Sequence, residues 1–498
     1  MSIRAKVTVG VATAAVVALF AGPASAAAAP GAPGIGDSYY PGAGNGGYDT
    51  SHYDIRLSYQ PGFDGLTGTT TILAKATQDL SRFNLDFLLK VQSIRVNNRV
   101  ASFTQGGGEV VVDPKATLAK GSDLTIVVQY SDVPSRYAVD GYTAWKTTPD
   151  GALAIDEPDI APWWYPSNNH PTDKATFDVS VAVPDGTSVI SNGLFKGTTK
   201  QLNGWTRWNW RSLKPQNTYS TYVAIGQFDV RQSTTPSGQP SVTAYARDLG
   251  ENGDAAKASV ERTPEIIEFE ETQFGPYPFE AQGGVVSNGL NFALENQTRP
   301  VYSSAFFRRG ANTYVVAHEL AHQWFGDSVS VNRWKDIWLN EGFASYAAWL
   351  WSEHIGEGTA QENSDFTYDR YPADSGFWQV LPGDPGAANQ FDIAVYDRGA
   401  LAVHALRTTV GDEAFFQILK TWLAQHRYGD GSINQFIGLA EKISGKPLHD
   451  LFETWLFTKG KPAVAPGASE FRALGVTPEP KSFKKIQETH ALLAAAER

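Results

Sequence analysis

Cysteine is absent from the 498 residues. No disulfide can form, and a thiolate metal site is excluded, so any metal must be held by histidine and carboxylate. The single methionine is Met1, which leaves the rest of the chain without the main oxidisable side chains. Basic residues are in deficit: 41 Lys and Arg stand against 52 Asp and Glu, for a formal net charge of −11. Phosphate contacts need a basic footprint, so no nucleic-acid partner is expected. Beyond the N-terminus no apolar run is long enough to span a bilayer. What is present suits a globular chain, with 42% hydrophobic and 19% charged residues. The length exceeds one ordinary core, which predicts two or three domains. There is no internal repeat.

The chain opens with positive charge in MSIRAK, an apolar stretch VTVGVATAAVVALFAG and the small-residue site Ala24-Ser25-Ala26. Residues 1–26 therefore read as a signal peptide. The expected product is secreted and extracellular, with no membrane anchor after cleavage. Residues 27–47 are rich in Ala, Gly and Pro and read as a linker or arm. Residues 48–245 hold short, alternating, β-branched segments such as HYDIRLSYQ, KATFDVSVAVP and STYVAIGQFDV. They predict an antiparallel β domain, either a sandwich or a bent sheet. Residues 246–464 turn to helical period, interrupted by the strand-like GGVVSNG and NFALENQT. One helix is expected over ENGDAAKASVERTPEIIEFEETQFG, and Ser432 with Gln435 reads as a capping box. Residues 465–498 form a C-terminal tail whose last seventeen residues suit a helix.

Within the helical part stands His318-Glu319-Leu320-Ala321-His322. A helix opening at Asn312 or Thr313 and stopping at Gly326 would carry it. Positions four apart differ by about 40° around the axis, so both imidazoles leave one face. Eighteen residues separate His322 from Glu341, in WLNEGFASYAAWLW. Asn340 could open this second helix, which would run to about His354. A catalytic zinc site takes three protein ligands and leaves the fourth position to water. His318, His322 and Glu341 make that count, for one Zn2+ per chain. Glu319 then stands beside the metal rather than on it, in the place of a general base. The pentapeptide alone also arises by chance on amphipathic helices; Glu341 on a second helix is what turns it into a site.

HELAHQWFGD followed by NEGFASY resembles the gluzincin metallo-aminopeptidases of the aminopeptidase N and leukotriene A4 hydrolase type. The resemblance covers roughly residues 45–460. It implies an α+β multidomain fold, with the N-terminal antiparallel β domain followed by a thermolysin-like, mainly helical zinc catalytic domain. FALENQTRP resembles the family's Gly-x-Met-Glu-Asn strand, with Phe292 in place of the glycine and Leu294 in place of the methionine. That strand implies substrate binding at Ala293 and Glu295, the latter taking the free α-amino group. Glu157, in DEPDIAPWWYPSNNHPTDKATF, resembles the family's second amine-binding carboxylate, with Asp156 as its rival. Tyr396, in VYDRGALAVHAL, resembles the tyrosine that stabilises the oxyanion. Trp163, Trp164 and Tyr165 are candidates for shaping the pocket for the N-terminal residue. Larger relatives continue into a helical domain that closes over the site. Here the match stops near TWLFTKGKPAV, so a more open cleft is expected.

These readings predict a secreted, monomeric zinc aminopeptidase acting on peptides with a free N-terminus. The alternatives are an endopeptidase on the same zinc centre and an extracellular binding protein with a relic site.

Overall fold

The computed structural model describes residues 27–139, 141–467 and 479–495, together with Lys6 and Gly10. Apart from those two residues, the expected signal peptide lies outside the described residues.

Tyr48–Gln60 is an interior strand of the N-terminal part. Along it Tyr53, Ile55, Leu57 and Tyr59 are buried, and Asp54, Arg56 and Ser58 between them are not. That two-residue period is what a sheet with one packed and one wet face demands. The strand turns at Asp64, a left-handed position with φ 49°, and pairs antiparallel with Gly65–Ala76. Its other edge pairs parallel with Ala175–Pro184. Among the described residues these strands belong to an eleven-stranded sheet, and Ala29–Pro30 adds a second parallel pair at its edge. The sheet is therefore mixed rather than wholly antiparallel. A separate four-stranded sheet joins Trp145–Thr148, Gly151–Ala154, Ser188–Ser191 and Val223–Gly226.

The aromatic run Trp163-Trp164-Tyr165 packs in the N-terminal core cluster. Tyr165 meets Tyr53 edge-on at 5.5 Å, and the Trp164 carbonyl accepts from the Tyr130 hydroxyl at 2.8 Å. All three side chains are at most 2% exposed, because each has apolar surface best removed from water.

A five-stranded sheet leads into the helical part. It holds Phe228–Thr234, Pro240–Ala246, Gln282–Ser287 and Val301–Ser303, with Ala293–Leu294 at the edge. The helices that follow are α1 (Asn252–Val260), α2 (Thr263–Phe274), α3 (Thr313–Ala321), α4 (Trp338–His354), α5 (Ala360–Arg370), α6 (Ile393–Val410), α7 (Asp412–Gln425), α8 (Ile433–Ser444), α9 (His449–Phe452) and α10 (Phe483–Ala494). Helices α1 and α2 replace the single helix expected there. Pro264 has no N–H to donate and disfavours helical backbone before it, so the chain breaks at Glu261-Arg262. Helix α8 carries the expected capping box of Ser432 and Gln435. Among the described residues no helix is long and apolar enough to cross a membrane.

The arm is pinned across both parts. Asp37 faces His170 at 3.3 Å and accepts from the Trp334 backbone N–H at 2.9 Å. Tyr40 donates to Gln390 at 2.7 Å.

Candidate active site

Helix α3 begins where the sequence indicates. The Asn312 side chain accepts from the backbone N–H of Tyr314 and Val315, satisfying two donors that the first turn leaves open. Its end differs from expectation. The regular helix stops at Ala321, and the chain passes through a wider turn in which Asp327, Ser328 and Val329 N–H groups reach back five residues to His322, Gln323 and Trp324. Gly326, with φ 125°, sits inside that turn rather than stopping the helix.

Helix α4 opens at Trp338, two residues before Asn340, and places Glu341 in its first turn. Gly342 and Gly399 let it meet α6 almost backbone to backbone. A Cβ on Gly399 would lie 3.1 Å from the Gly342 Cα, and one on Gly342 would lie 2.4 Å from the Trp338 indole nitrogen. That indole donates to the Gly399 carbonyl at 3.1 Å. The crossing brings Glu341, next to one glycine, and Tyr396, one turn before the other, to the same centre. Arg398 locks α6 in place by donating to the carbonyls of Trp378, Val380 and Trp455 at 2.9–3.1 Å.

Nε2 of His318 and Nε2 of His322 lie 3.2 Å apart, and Oε2 of Glu341 is 3.2 Å from the first and 3.5 Å from the second. Three donors turned on one point, from two imidazoles and a carboxylate, fit a zinc ion. The electrostatics agree. Burial pushes His318 down to about 3, which keeps its ring neutral as a ligand must be. Burial also opposes charge on His322, but Glu295, Glu341 and Glu319 outweigh it and raise its pKa well above the usual value. The two histidines draw Glu341 far below the carboxylate range against its own burial. A field that holds a proton on a buried histidine favours a divalent cation more strongly. His322 Nδ1 faces the Phe325 carbonyl at 2.9 Å, which leaves Nε2 for the metal.

Glu319 and Glu295 join the cluster: one oxygen of each and a ring nitrogen of His322 all lie within 4.8 Å of one another. Glu295 belongs to the segment containing the edge strand Ala293–Leu294. Strand alternation sorts this segment. Phe292 and Leu294 are buried in the N-terminal core cluster, whereas Ala293 packs with the cluster around α3. Phe292 is thus a core side chain, filling space that a glycine would leave. Arg299 fixes the segment by donating to the carbonyls of Val242 at 3.0 Å and Gly193 at 3.1 Å.

Glu157 and Asp156 are each 1% exposed. Asp156 is engaged by the Tyr142 hydroxyl and by the Glu157 backbone N–H. Tyr219 lies near enough to feel both Glu295 and Glu157. After burial, the fields of Glu295 and then Glu157 contribute most to raising its phenol pKa, and its hydroxyl donates to Glu295 at 3.0 Å. The ring of Tyr396 stands 6.0 Å from that of His318. His318, Glu319, His322, Glu341, Glu295 and Tyr396 are all at most 2% exposed. The side chains of the centre are therefore shielded from water.

Three participants carry no local sequence signal. Tyr219 reaches Glu295 from 76 residues away. Gln323 donates to the Glu295 carbonyl at 2.9 Å and accepts from the Thr298 N–H at 2.7 Å, tying α3 to the edge strand. Asp397, beside Tyr396, is bound by Tyr371 at 2.6 Å and by His490 of α10 at 2.6 Å.

Comparison with known proteins agrees with this geometry. Residues 259–455 match the peptidase family M1 domain, and residues 49–223 match the peptidase M1 N-terminal domain. Glutamyl aminopeptidase of Rattus norvegicus is 24% identical over 457 residues, covering 83% of this chain and 47% of the relative. Aminopeptidase N of Streptomyces lividans is 29% identical over 359 residues, covering 67% of this chain and 40% of the relative. The chain spans about half the length of such relatives or less. The crystal structure of an M1 zinc metallopeptidase from Deinococcus radiodurans is 29% identical with a TM-score of 0.77, covering 88% of this chain and 99% of that one. A mutant of the same enzyme, bound to a Tyr-Ser-Ala substrate, superposes with a TM-score of 0.75. Both halves match models of one family, which together cover about three quarters of the sequence, and the chain belongs to peptidase family M1.

Proposed function

We propose that this protein is a secreted, monomeric zinc aminopeptidase that removes the N-terminal residue of peptides. The observation that carries the reading is the meeting of Glu319 and Glu295 with His322, beside the donor set of His318, His322 and Glu341. One centre thereby offers a metal site, a base and an anchor for an amine.

His318, His322 and Glu341 would hold one zinc ion. When bound, zinc supplies Lewis-acid chemistry to the water and the scissile carbonyl. Glu319 takes the proton of the attacking water and passes it to the leaving amine. Tyr396 donates its phenol hydrogen toward the carbonyl oxygen as negative charge develops there. Glu295 and Glu157 take the protonated α-amine, and the edge strand at Ala293 lies alongside the substrate backbone. Capping the amine would remove the positive charge that these buried carboxylates take, which is the basis of selectivity for a free N-terminus. The shielding of these side chains supports this, because every such interaction strengthens when water is excluded.

The test compares aminoacyl amides bearing a free amine with the same amides N-acetylated. Faster cleavage of free-amine substrates is expected, and equal or faster cleavage of the acetylated set refutes the exopeptidase reading. Secretion rests on residues 1–26 alone; N-terminal sequencing of protein from culture medium should find Ala27 first.

A further inference from the structure

Helix α10 lies outside both family matches, yet it delivers a side chain to the metal centre. His490 is fully buried. Its Nδ1 is 2.6 Å from Oδ1 of Asp397. In its neutral form, a ring that donates Nδ1–H to this carboxylate oxygen has its lone pair on Nε2. That Nε2 is enclosed and has no hydrogen-bond partner. His318 is its complement. Its Nε2 faces His322 and Glu341, so as a neutral ligand it carries its proton on Nδ1. That Nδ1 is also enclosed and without a hydrogen-bond partner. The two rings stand 5.9 Å apart between centroids.

A buried donor and a buried acceptor left unpaired on adjacent rings are each costly, and pairing them satisfies both. We propose that His490 is a positioning residue for the metal site. Its Nε2 accepts from Nδ1–H of His318, directly or through one water, and completes a chain from Asp397 through His490 to His318. The chain fixes the ring orientation and tautomer in which Nε2 of His318 faces the metal. Metal-binding histidines generally need such an acceptor on their outer nitrogen. Here the last helix supplies it. The proposal rests on the assignment of His318 as a zinc ligand.

The docking of α10 suits this role. Lys485 donates to the Ala311 carbonyl at 2.7 Å, and Thr489 accepts from Asn312, the cap of α3, at 3.0 Å. Ser482 and Ser352 share a hydrogen bond of 2.7 Å, which ties the start of α10 to α4. Tail, zinc helix and ligand ring are thus one connected unit, and the tail contributes to zinc affinity.

The test measures zinc affinity of the full chain by competition with a chelator, with thermal unfolding of the metal-free forms alongside. His490→Phe keeps the ring volume and removes the lone pair. It should weaken zinc binding roughly 10- to 100-fold at a temperature where the metal-free variant is still folded, the lost bond to Asp397 lowering its unfolding temperature. His490→Gln, whose amide oxygen can accept, should recover part of the loss. If His490→Phe does not fold, Asp397→Asn tests the same chain, because it releases the tautomer; it should also weaken zinc. Zinc affinity within twofold of wild type in the folded variants overturns the proposal. His318→Ala separates the two readings. If it abolishes zinc binding while the His490 and Asp397 variants retain it, only the positioning role fails. If it binds zinc normally, the ligand assignment fails as well.

Discussion

Glu295→Gln tests the amine anchor most directly. The substitution keeps the shape and an oxygen to accept from Tyr219, whose hydroxyl now donates to Oε1 at 3.0 Å. It removes only the charge. The carboxylate is 2% exposed, so water screens its interaction with a substrate ammonium very little. A hydrogen bond to a charged group contributes about 1.5–3 kcal/mol. At about 1.4 kcal/mol per tenfold, kcat/KM for a free-amine substrate should fall roughly 10- to 150-fold. Anchoring acts in the bound substrate as well as in the transition state, so a large part of the loss should appear in KM. The assay is steady-state hydrolysis of a chromogenic aminoacyl amide, with zinc content measured on the same samples. A change in kcat/KM of less than about threefold would refute the argument, since a charge-assisted contact cannot be lost so cheaply. A rate loss that tracks lost zinc would instead place Glu295 in the metal site, which its proximity to His322 makes a real contest.

Three further outcomes are expected. Glu319→Gln should retain zinc by elemental analysis and lose turnover by roughly 10²–10⁴-fold; loss of zinc would make Glu319 structural. Tyr396→Phe should lower kcat by roughly 10²–10³-fold with little change in KM, and an unchanged kcat would remove the phenol from the chemistry. Phe292→Ala should cost about 3–5 kcal/mol in denaturant unfolding, because it opens a cavity in the N-terminal core; a stability loss below about 1 kcal/mol would mean the ring is not packed as the structure shows.

The metal centre was legible in the sequence because its parts are local. His318 and Glu319 lie in the last turn of α3, His322 follows as its helical C-cap, and Glu341 comes on the next long helix, so helical period brings the donor atoms to defined faces. The switch from two-residue to helical period foretold the helices beginning at Asn252, but not that Gln282–Ser287 and Val301–Ser303 would pair in one sheet with Pro240–Ala246. Other features depend on what packs against what. The sequence left Phe292 as an oddity in a substrate strand; the structure buries it, because alternate residues of an edge strand face different layers. It offered Trp163, Trp164 and Tyr165 as a pocket, and the structure shows what it could not, that they pack in the N-terminal core. It took the tail for an unassigned appendage.

By itself, then, the sequence determined which residues can hold zinc, which carboxylate stands next to them, and that strands precede helices. Tertiary structure alone decided that Tyr219 and Gln323 hold Glu295 from either side, that the Gly342–Gly399 crossing carries Tyr396 to His318, and that His490 comes to lie behind the ligand ring. Spacing along a helix is written in neighbouring residues. A contact between α3 and α10 joins positions 172 apart, His318 and His490, and no local pattern records it, because the approach is set by the packing of every helix between them.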